Sequence, residues 1–362
     1  MLERPSRSIT FIEAVREGLD LALGEYPSVI VIGEGVPDPK GIFGSTTGLQ
    51  QKYGRQRVFD MPLSENGLTG VCIGAAISGL RPVMIHQRLD FAMLAMDQIV
   101  NNAAKWHYIF NGKACVPLVI RMIVGRGWGQ GPQHSQSLQG LFAAVPGLKV
   151  VMPTTAADAK GLMISAIEDD NPVIFIEHRW LHGVIDNVPE GIYRVPIGKA
   201  RLLNAGADVT VAAFSYMSLE SLRAVKAIYD LMGISVDLLD MRSVSPMDVE
   251  SVIGSVQKTG RLIVVDTSFK TGSFAGELVS QITERAFECL RKAPVRIGLP
   301  DHPVPTSQFM AAEYYPDSSV VAEAIIDLME LSRNDPRYEH LRKILAKQDR
   351  HDVPNSEFSG PF

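Results

Sequence analysis

The sequence predicts an α/β protein made of two parallel-sheet domains in tandem. Three observations carry this. Short β-branched runs such as Val29-Ile30-Val31-Ile32 lack the apolar/polar alternation of a half-exposed sheet, as strands covered by helices on both faces should. Between such runs lie stretches with helical spacing of apolar residues, and strand–helix alternation is the signature of a parallel sheet. With 362 residues, 46% of them hydrophobic and 21% charged, the chain is long enough to bury two cores of ordinary size.

The elements follow in order. Thr10-Phe11-Ile12-Glu13 has the spacing of a capping box, and Phe11, Ile12, Val15, Leu19 and Ala22 recur at helical intervals, so a first helix runs to about Gly24. Val29 to Gly33 is the first buried strand. A short strand from Arg57 to Phe59 precedes a helix of small residues from Leu68 to Leu80. Further strands are expected at Pro117 to Val124 and Val173 to Glu177, with helices over Met93 to Trp106 and Ala156 to Glu168. Turn formers without a helical period, Val188 to Pro196, mark a linker. The division is a first domain over 1–187, a linker over 188–200 and a second domain over 201–333. In the second domain, strands at Asp208 to Phe214, Val236 to Asp240 and Leu262 to Asp266 alternate with helices near Leu219 to Leu231 and Gly276 to Leu290, and a helix from about Ser319 closes it. Residues 334–362 read as a charged tail punctuated by Pro336 and Pro354.

Composition excludes several functions. A formal net charge of -5 leaves no basic stripe for a phosphate backbone, so nucleic acid is not an expected partner. The start, Met1-Leu2-Glu3-Arg4-Pro5, shows no apolar signal region, and no run of about 18 apolar residues occurs, so no membrane segment and a cytoplasmic location are expected. Cys72, Cys115 and Cys289 are widely spaced among apolar neighbours and read as reduced core thiols.

Three segments could carry chemistry. In Asp60-Met61-Pro62-Leu63-Ser64-Glu65-Asn66-Gly67, Glu65 falls at or near the start of a helix, where a carboxylate serves either as a cap or as a pocket group at the carboxyl end of a strand. The second segment, Gly125 to Ser137, has glycines at alternate positions without a Walker pattern, and its His134 is either a plain loop residue or a proton carrier. The third is Asp90-Phe91, where the ring is either core or the lining of a cofactor. His178 and His182 stand four apart but without the glutamate of a zinc-protease helix, so no metal is assigned to them.

Taken together, Pro62-Leu63-Ser64-Glu65-Asn66-Gly67, Asp97-Gln98-Ile99 with Asn102-Ala103-Ala104-Lys105, Gln133-His134-Ser135-Gln136, Pro146-Gly147-Leu148-Lys149-Val150-Val151 and Asp158-Ala159-Lys160-Gly161-Leu162 resemble the beta subunit of the thiamine diphosphate-dependent first component of 2-oxo acid dehydrogenase complexes. The resemblance runs from about Ile9 to Leu331. It implies a transketolase-like pyrimidine-binding domain followed by a smaller transketolase C-terminal domain. It also implies oxidative decarboxylation of a 2-oxo acid with acyl transfer to lipoamide, the alternative being a split carboligase or synthase that passes the decarboxylated fragment to a carbonyl acceptor. Glu65 is then the partner of the pyrimidine N1′, Phe91 the ring packed on the aminopyrimidine, Leu63 and Gln87 further lining, and His134 the histidine at the mouth of the site. A structural potassium ion is implied at Leu118, Ala166, Ile167, Asp169 and Asn171, largely through main-chain carbonyls. The diphosphate and its magnesium ion belong to an alpha subunit with a Gly-Asp-Gly motif, which is absent from this sequence, so an α2β2 heterotetramer is implied, as is a lipoyl acyltransferase core. The chain departs from the family at Ile85-His86-Gln87-Arg88 and in the loop of Arg126 and Trp128, which makes His86, Arg88 and Arg126 candidates for contact with the substrate.

Overall fold

The computed structural model describes residues 5–127 and 129–346, so Trp128 and the last part of the expected tail lie outside the described residues. The chain divides into two compact units that part between Ile197 and Gly198.

In the first unit, β1 (Ser6–Thr10) pairs antiparallel with β8 (Ile185–Pro189), apart from the main sheet. The sheet itself is built from β2 (Val29–Gly33), β3 (Val58–Phe59), β4 (Arg81–His86), β5 (Val119–Val124), β6 (Lys149–Val151) and β7 (Val173–His178), in the order β6-β7-β5-β4-β2-β3, all parallel. Every residue of β2, β5 and β7 is buried, which is why these runs show no alternation. The capping box forms as its spacing predicts. Thr10 Oγ1 accepts from the Glu13 amide at 3.3 Å, the Thr10 amide donates to Glu13 Oε2 at 2.8 Å, and the helix Phe11–Glu25 follows.

The stretch read as one helix from Met93 to Trp106 is instead a 3₁₀ turn at Met93–Ala95, a π-helix at Gln98–Ala103 and a short helix at Trp106–Ile109. Widening is visible in the Ala104 amide, which donates to the Ile99 carbonyl at 3.0 Å. Asn101 Nδ2 meanwhile bonds Asp97 Oδ1 at 2.8 Å, and Asn102 Nδ2 bonds Gln98 Oε1 at 3.1 Å. Such π segments recur at functional sites. A side chain at Gly147 would place its Cβ 1.9 Å from the Ala104 carbonyl oxygen, so glycine is required where the Pro146-Gly147 turn meets this segment.

The second unit holds β9 (Arg201–Asn204), β10 (Val209–Ala213), β11 (Val236–Asp240), the short β12 (Ser243–Ser245), β13 (Leu262–Phe269) and β14 (Val295–Leu299). Its sheet runs β14-β13-β10-β11-β9, parallel except for the edge strand β9. Part of the stretch read as a charged tail is ordered. Pro336–Leu345 is a helix that buries Tyr338, Leu341 and Leu345, capped by Asp335, whose side chain accepts from the Arg337 amide at 2.9 Å. Pro336 occupies the first helical position, where its missing amide costs nothing, and so starts a helix instead of breaking one.

Of the three cysteines, all free, only Cys72 is buried, and burial pushes its thiol up to about 12. Cys115 and Cys289 are half-buried, so the expectation of three core thiols holds for one.

Candidate active site

The helix Glu65–Ile77 lies over β4, where the Thr69 hydroxyl donates to the Glu65 carbonyl at 2.7 Å and stands 3.3 Å from Met84 Sδ. This contact fixes the position of Glu65. A helix returning between parallel strands runs against them, so one turn towards its N-terminus is a step towards their carboxyl ends. Glu65 is therefore placed at that edge, as the first residue of its helix, and is only 7% exposed. Among the described residues no side chain or amide bonds its carboxyl.

Two further carboxylates gather here. Asp60 Oδ1 accepts from the Gly35 and Met61 amides, both at 2.9 Å, which ties the end of β2 to the end of β3. Glu34, directly after β2, has its carboxyl raised above the usual range, first by burial and then by the charges of Glu65 and Asp60. Gln87 Nε2 donates to the Glu34 carbonyl at 3.1 Å, so Gln87, Glu34 and Glu65 share one corner. Leu63, on the turn before the helix, is 83% exposed.

Phe91 and His134 meet edge to face, with ring centroids 5.4 Å apart at 90°. His86 closes β4 on the same face as Met84, by the two-residue period of a strand. It is buried, its Nε2 has no partner among the described residues, and burial holds the imidazole down to about 4, so it is neutral at ordinary pH.

The two arginines expected near the substrate are buried. Arg88 Nη1 donates to the Gly125 carbonyl at 2.7 Å, Nη2 bonds the Gln130 side chain, and the guanidinium stands 5.8 Å from the Phe43 ring centroid. It braces the glycine loop. Gly125 begins that loop at φ +91°, and a Cβ there would lie 2.6 Å from the His178 ring. The Arg126 carbonyl accepts from Trp180 Nε1 at 2.5 Å.

His178 and His182 do not converge on a metal. His178 Nδ1 accepts from the Trp180 amide at 3.3 Å, whereas His182 Nε2 lies 3.2 Å from Glu177 Oε2. Glu177 is paired bidentately with Arg121, both fully buried on neighbouring strands, and the Arg121 charge overcomes burial to keep the carboxyl below its usual range. Among the described residues no group of three or more His, Cys, Asp and Glu is placed to hold a metal ion.

The residues assigned to potassium lie at the other end of the sheet. Leu118 precedes β5, Asn171 precedes β7, and Ala166, Ile167 and Asp169 surround the end of the helix Ala156–Glu168. Arg81 Nη1 donates to the carbonyls of Ile167 and Asp169 at 2.9 and 3.0 Å, and the Leu118 carbonyl accepts from the Val173 amide at 2.9 Å. Sequence reasoning missed Arg81 and Glu34, and it gave no role to Asp60 within the segment that holds Glu65. A carboxylate directly after a buried parallel strand was the available signal for Glu34, since ligands bind at carboxyl ends.

Residues 7–183 match the model of the transketolase pyrimidine-binding domain, and residues 198–321 match that of the transketolase C-terminal domain. The beta subunit of acetoin:2,6-dichlorophenolindophenol oxidoreductase from Cupriavidus necator is 40% identical over 330 residues, which cover 88% of this chain and 97% of the relative. The chain belongs to this transketolase-like family of beta subunits. Its relatives include the pyruvate dehydrogenase E1 component subunit beta of Bacillus subtilis, 40% identical over 83% of this chain and 92% of the relative. The 2-oxoisovalerate dehydrogenase subunit beta of Pseudomonas aeruginosa is 37% identical over 90% and 96%. A solved split-gene transketolase, an inactive beta4 tetramer, shares the fold at a TM-score of 0.73 and 23% identity, covering 90% of this chain and 99% of that one.

Proposed function

We propose that the chain is the beta subunit of a thiamine diphosphate-dependent 2-oxo acid dehydrogenase, acting with an alpha subunit in an α2β2 assembly in the cytoplasm and delivering its acyl group to a lipoyl acyltransferase core. One observation carries the reading: a buried carboxyl, Glu65, held at the carboxyl end of a parallel sheet without a partner among the described residues.

The residues fit an aminopyrimidine. Glu65 supplies a buried acid for the ring nitrogen N1′, Phe91 an aromatic face, and Leu63 and Gln87 the remaining lining. When bound, thiamine diphosphate provides the nucleophilic carbon and the electron sink that cleavage of a 2-oxo acid needs. The chain's own part is to hold a proton at Glu65 and to offer an imidazole at His134, the side chain best suited to move a proton near neutral pH.

Magnesium is assigned with the diphosphate to the alpha subunit, because the Gly-Asp-Gly motif is absent from this sequence. The carbonyl set assigned to potassium does not fit an ion that would have these oxygens to itself, because Arg81 already binds two of them. No observation favours the carboligase alternative: of the two residues that could bind an anionic carbonyl acceptor, Arg88 is committed to Gly125 and Gln130, and Arg126 is fully buried.

The test is Glu65→Gln in the complex reconstituted with the alpha subunit. Turnover of 2-oxo acids falls on the order of 100-fold or more while the melting temperature holds. Full activity in this variant would remove Glu65 from the site, and turnover that ignores a lipoyl domain while joining two carbon skeletons would replace the dehydrogenase reading.

A further inference from the structure

Two segments of the first unit meet twice within a few residues. Asp90 and Phe91 lie on the helical turn Leu89–Ala92 that follows β4, and His134 and Gln136 lie on the loop that follows β5. Gln136 Nε2 donates to Asp90 Oδ1 at 2.8 Å, and the Gln136 amide reaches the same oxygen at 3.4 Å. The other carboxylate oxygen is buried and has no partner among the described residues, so the hydrogen bonds of Asp90 all go to this loop. Next to this tie, the edge-to-face contact places His134 against Phe91.

We propose that Asp90 is the positioning residue of His134: by gripping Gln136 it holds the imidazole against Phe91, at the place where the acyl group is handed on. The loop needs such an anchor. Glycines at 125, 127, 129 and 131 give the approach to His134 a large conformational entropy to lose, and the ties of Arg88 reach Gly125 and Gln130 but not the segment from His134 to Gln136. A hydrogen bond to a charged group is among the stronger neutral-donor contacts, and a carboxylate fixed on a short helical turn loses little entropy in making it. Asp90 touches neither substrate nor cofactor in this scheme; it acts through Gln136.

The proposal rests on the reading of His134 as the residue of acyl transfer, and the experiment separates the two. In the reconstituted complex, hydrogen exchange of residues 131–138 is measured beside two rates: decarboxylation read with a dye acceptor, and acyl transfer to a lipoyl domain. Asp90→Ala speeds exchange in the loop, slows transfer about tenfold and leaves dye-coupled decarboxylation within about twofold. Asp90→Asn, which keeps a carbonyl oxygen for Gln136, restores most of the transfer rate. Added to His134→Ala, Asp90→Ala slows transfer no further. Unchanged exchange in Asp90→Ala overturns the tie itself. A loosened loop with wild-type transfer, or an additive loss on top of His134→Ala, overturns the positioning role. If His134→Ala alone leaves transfer intact, the reading of His134 falls and the proposal with it, while the exchange result still reports whether the tie exists.

Discussion

The two ends of the first sheet treat polar groups in opposite ways. At the amino end the chain meets its own requirements. Arg81 spans the Ile167 and Asp169 carbonyls and the Asp170 carboxylate, Lys149 pairs with Asp169, and the Asn171 amide bonds Asp169 Oδ1 at 2.9 Å. At the carboxyl end Glu34 Oε1, His86 Nε2 and Ser135 Oγ are buried without a partner among the described residues. Each such group costs roughly 1–3 kcal/mol, a penalty that a purely structural end would have removed. The difference teaches which end is kept for a ligand, and it does so independently of any relative.

The contrast can be broken most forcefully at Arg81. Arg81→Met removes two charged hydrogen bonds to carbonyls at the closed end and should lower stability by about 2–3 kcal/mol, with turnover per folded complex unchanged. Thermal melts and activity on the same samples check this. A loss of turnover larger than the loss of folded protein would show that the closed end is not merely structural. Repeating the melts in potassium and in sodium chloride sharpens the point, because the vacated carbonyls would then be open to an ion.

How much of this contrast could be read from the sequence depends on whether the partners are near in the chain. Glu65 was legible because its position relative to a strand and a helix start is local information, and the capping box at Thr10 was legible for the same reason. Arg88 was not. Its partners Gly125 and Gln130 come from another strand-loop junction, so a guanidinium that looked available for a substrate proves to be a brace. The break in the Met93 to Trp106 helix was hidden because apolar spacing alone does not separate an α-helix from a wider turn, and the widening shows only in the bond of the Ala104 amide to the Ile99 carbonyl. The alternation of strands and helices gave the class of both sheets, whereas edge strands such as β9 and β14 carry too little burial to announce themselves.

A smaller effect is expected at His86. Its imidazole titrates at about 4 in the folded chain, against a usual value of 6.5, because burial opposes the charge. The unfolded chain therefore binds a proton that the folded chain refuses, and stability falls as pH drops through the window from 6.5 to about 4. His86→Leu should flatten that acid limb by about 1–3 kcal/mol at pH 4 while changing little at pH 8. Denaturation curves across the window decide it. Equal acid sensitivity in the variant would mean that His86 is charged within the fold, and so has a partner. His182, also held down to about 4 by burial, keeps its own share of the acid limb in both proteins.

The smallest effect has the most diagnostic sign. Ser135→Ala deletes a buried hydroxyl without a partner among the described residues, so it should be neutral or stabilising by up to about 1 kcal/mol, whereas deleting a satisfied buried hydroxyl destabilises. Urea titration of the variant reads the sign directly. A loss of 1 kcal/mol or more would show that the hydroxyl is satisfied in the unliganded fold, and the carboxyl end would then resemble the amino end at that position. A gain in stability accompanied by weaker cofactor retention would instead identify Ser135 as a group held in reserve for the ligand, since one hydroxyl cannot be both dispensable to the fold and required by the complex unless its partner arrives with binding.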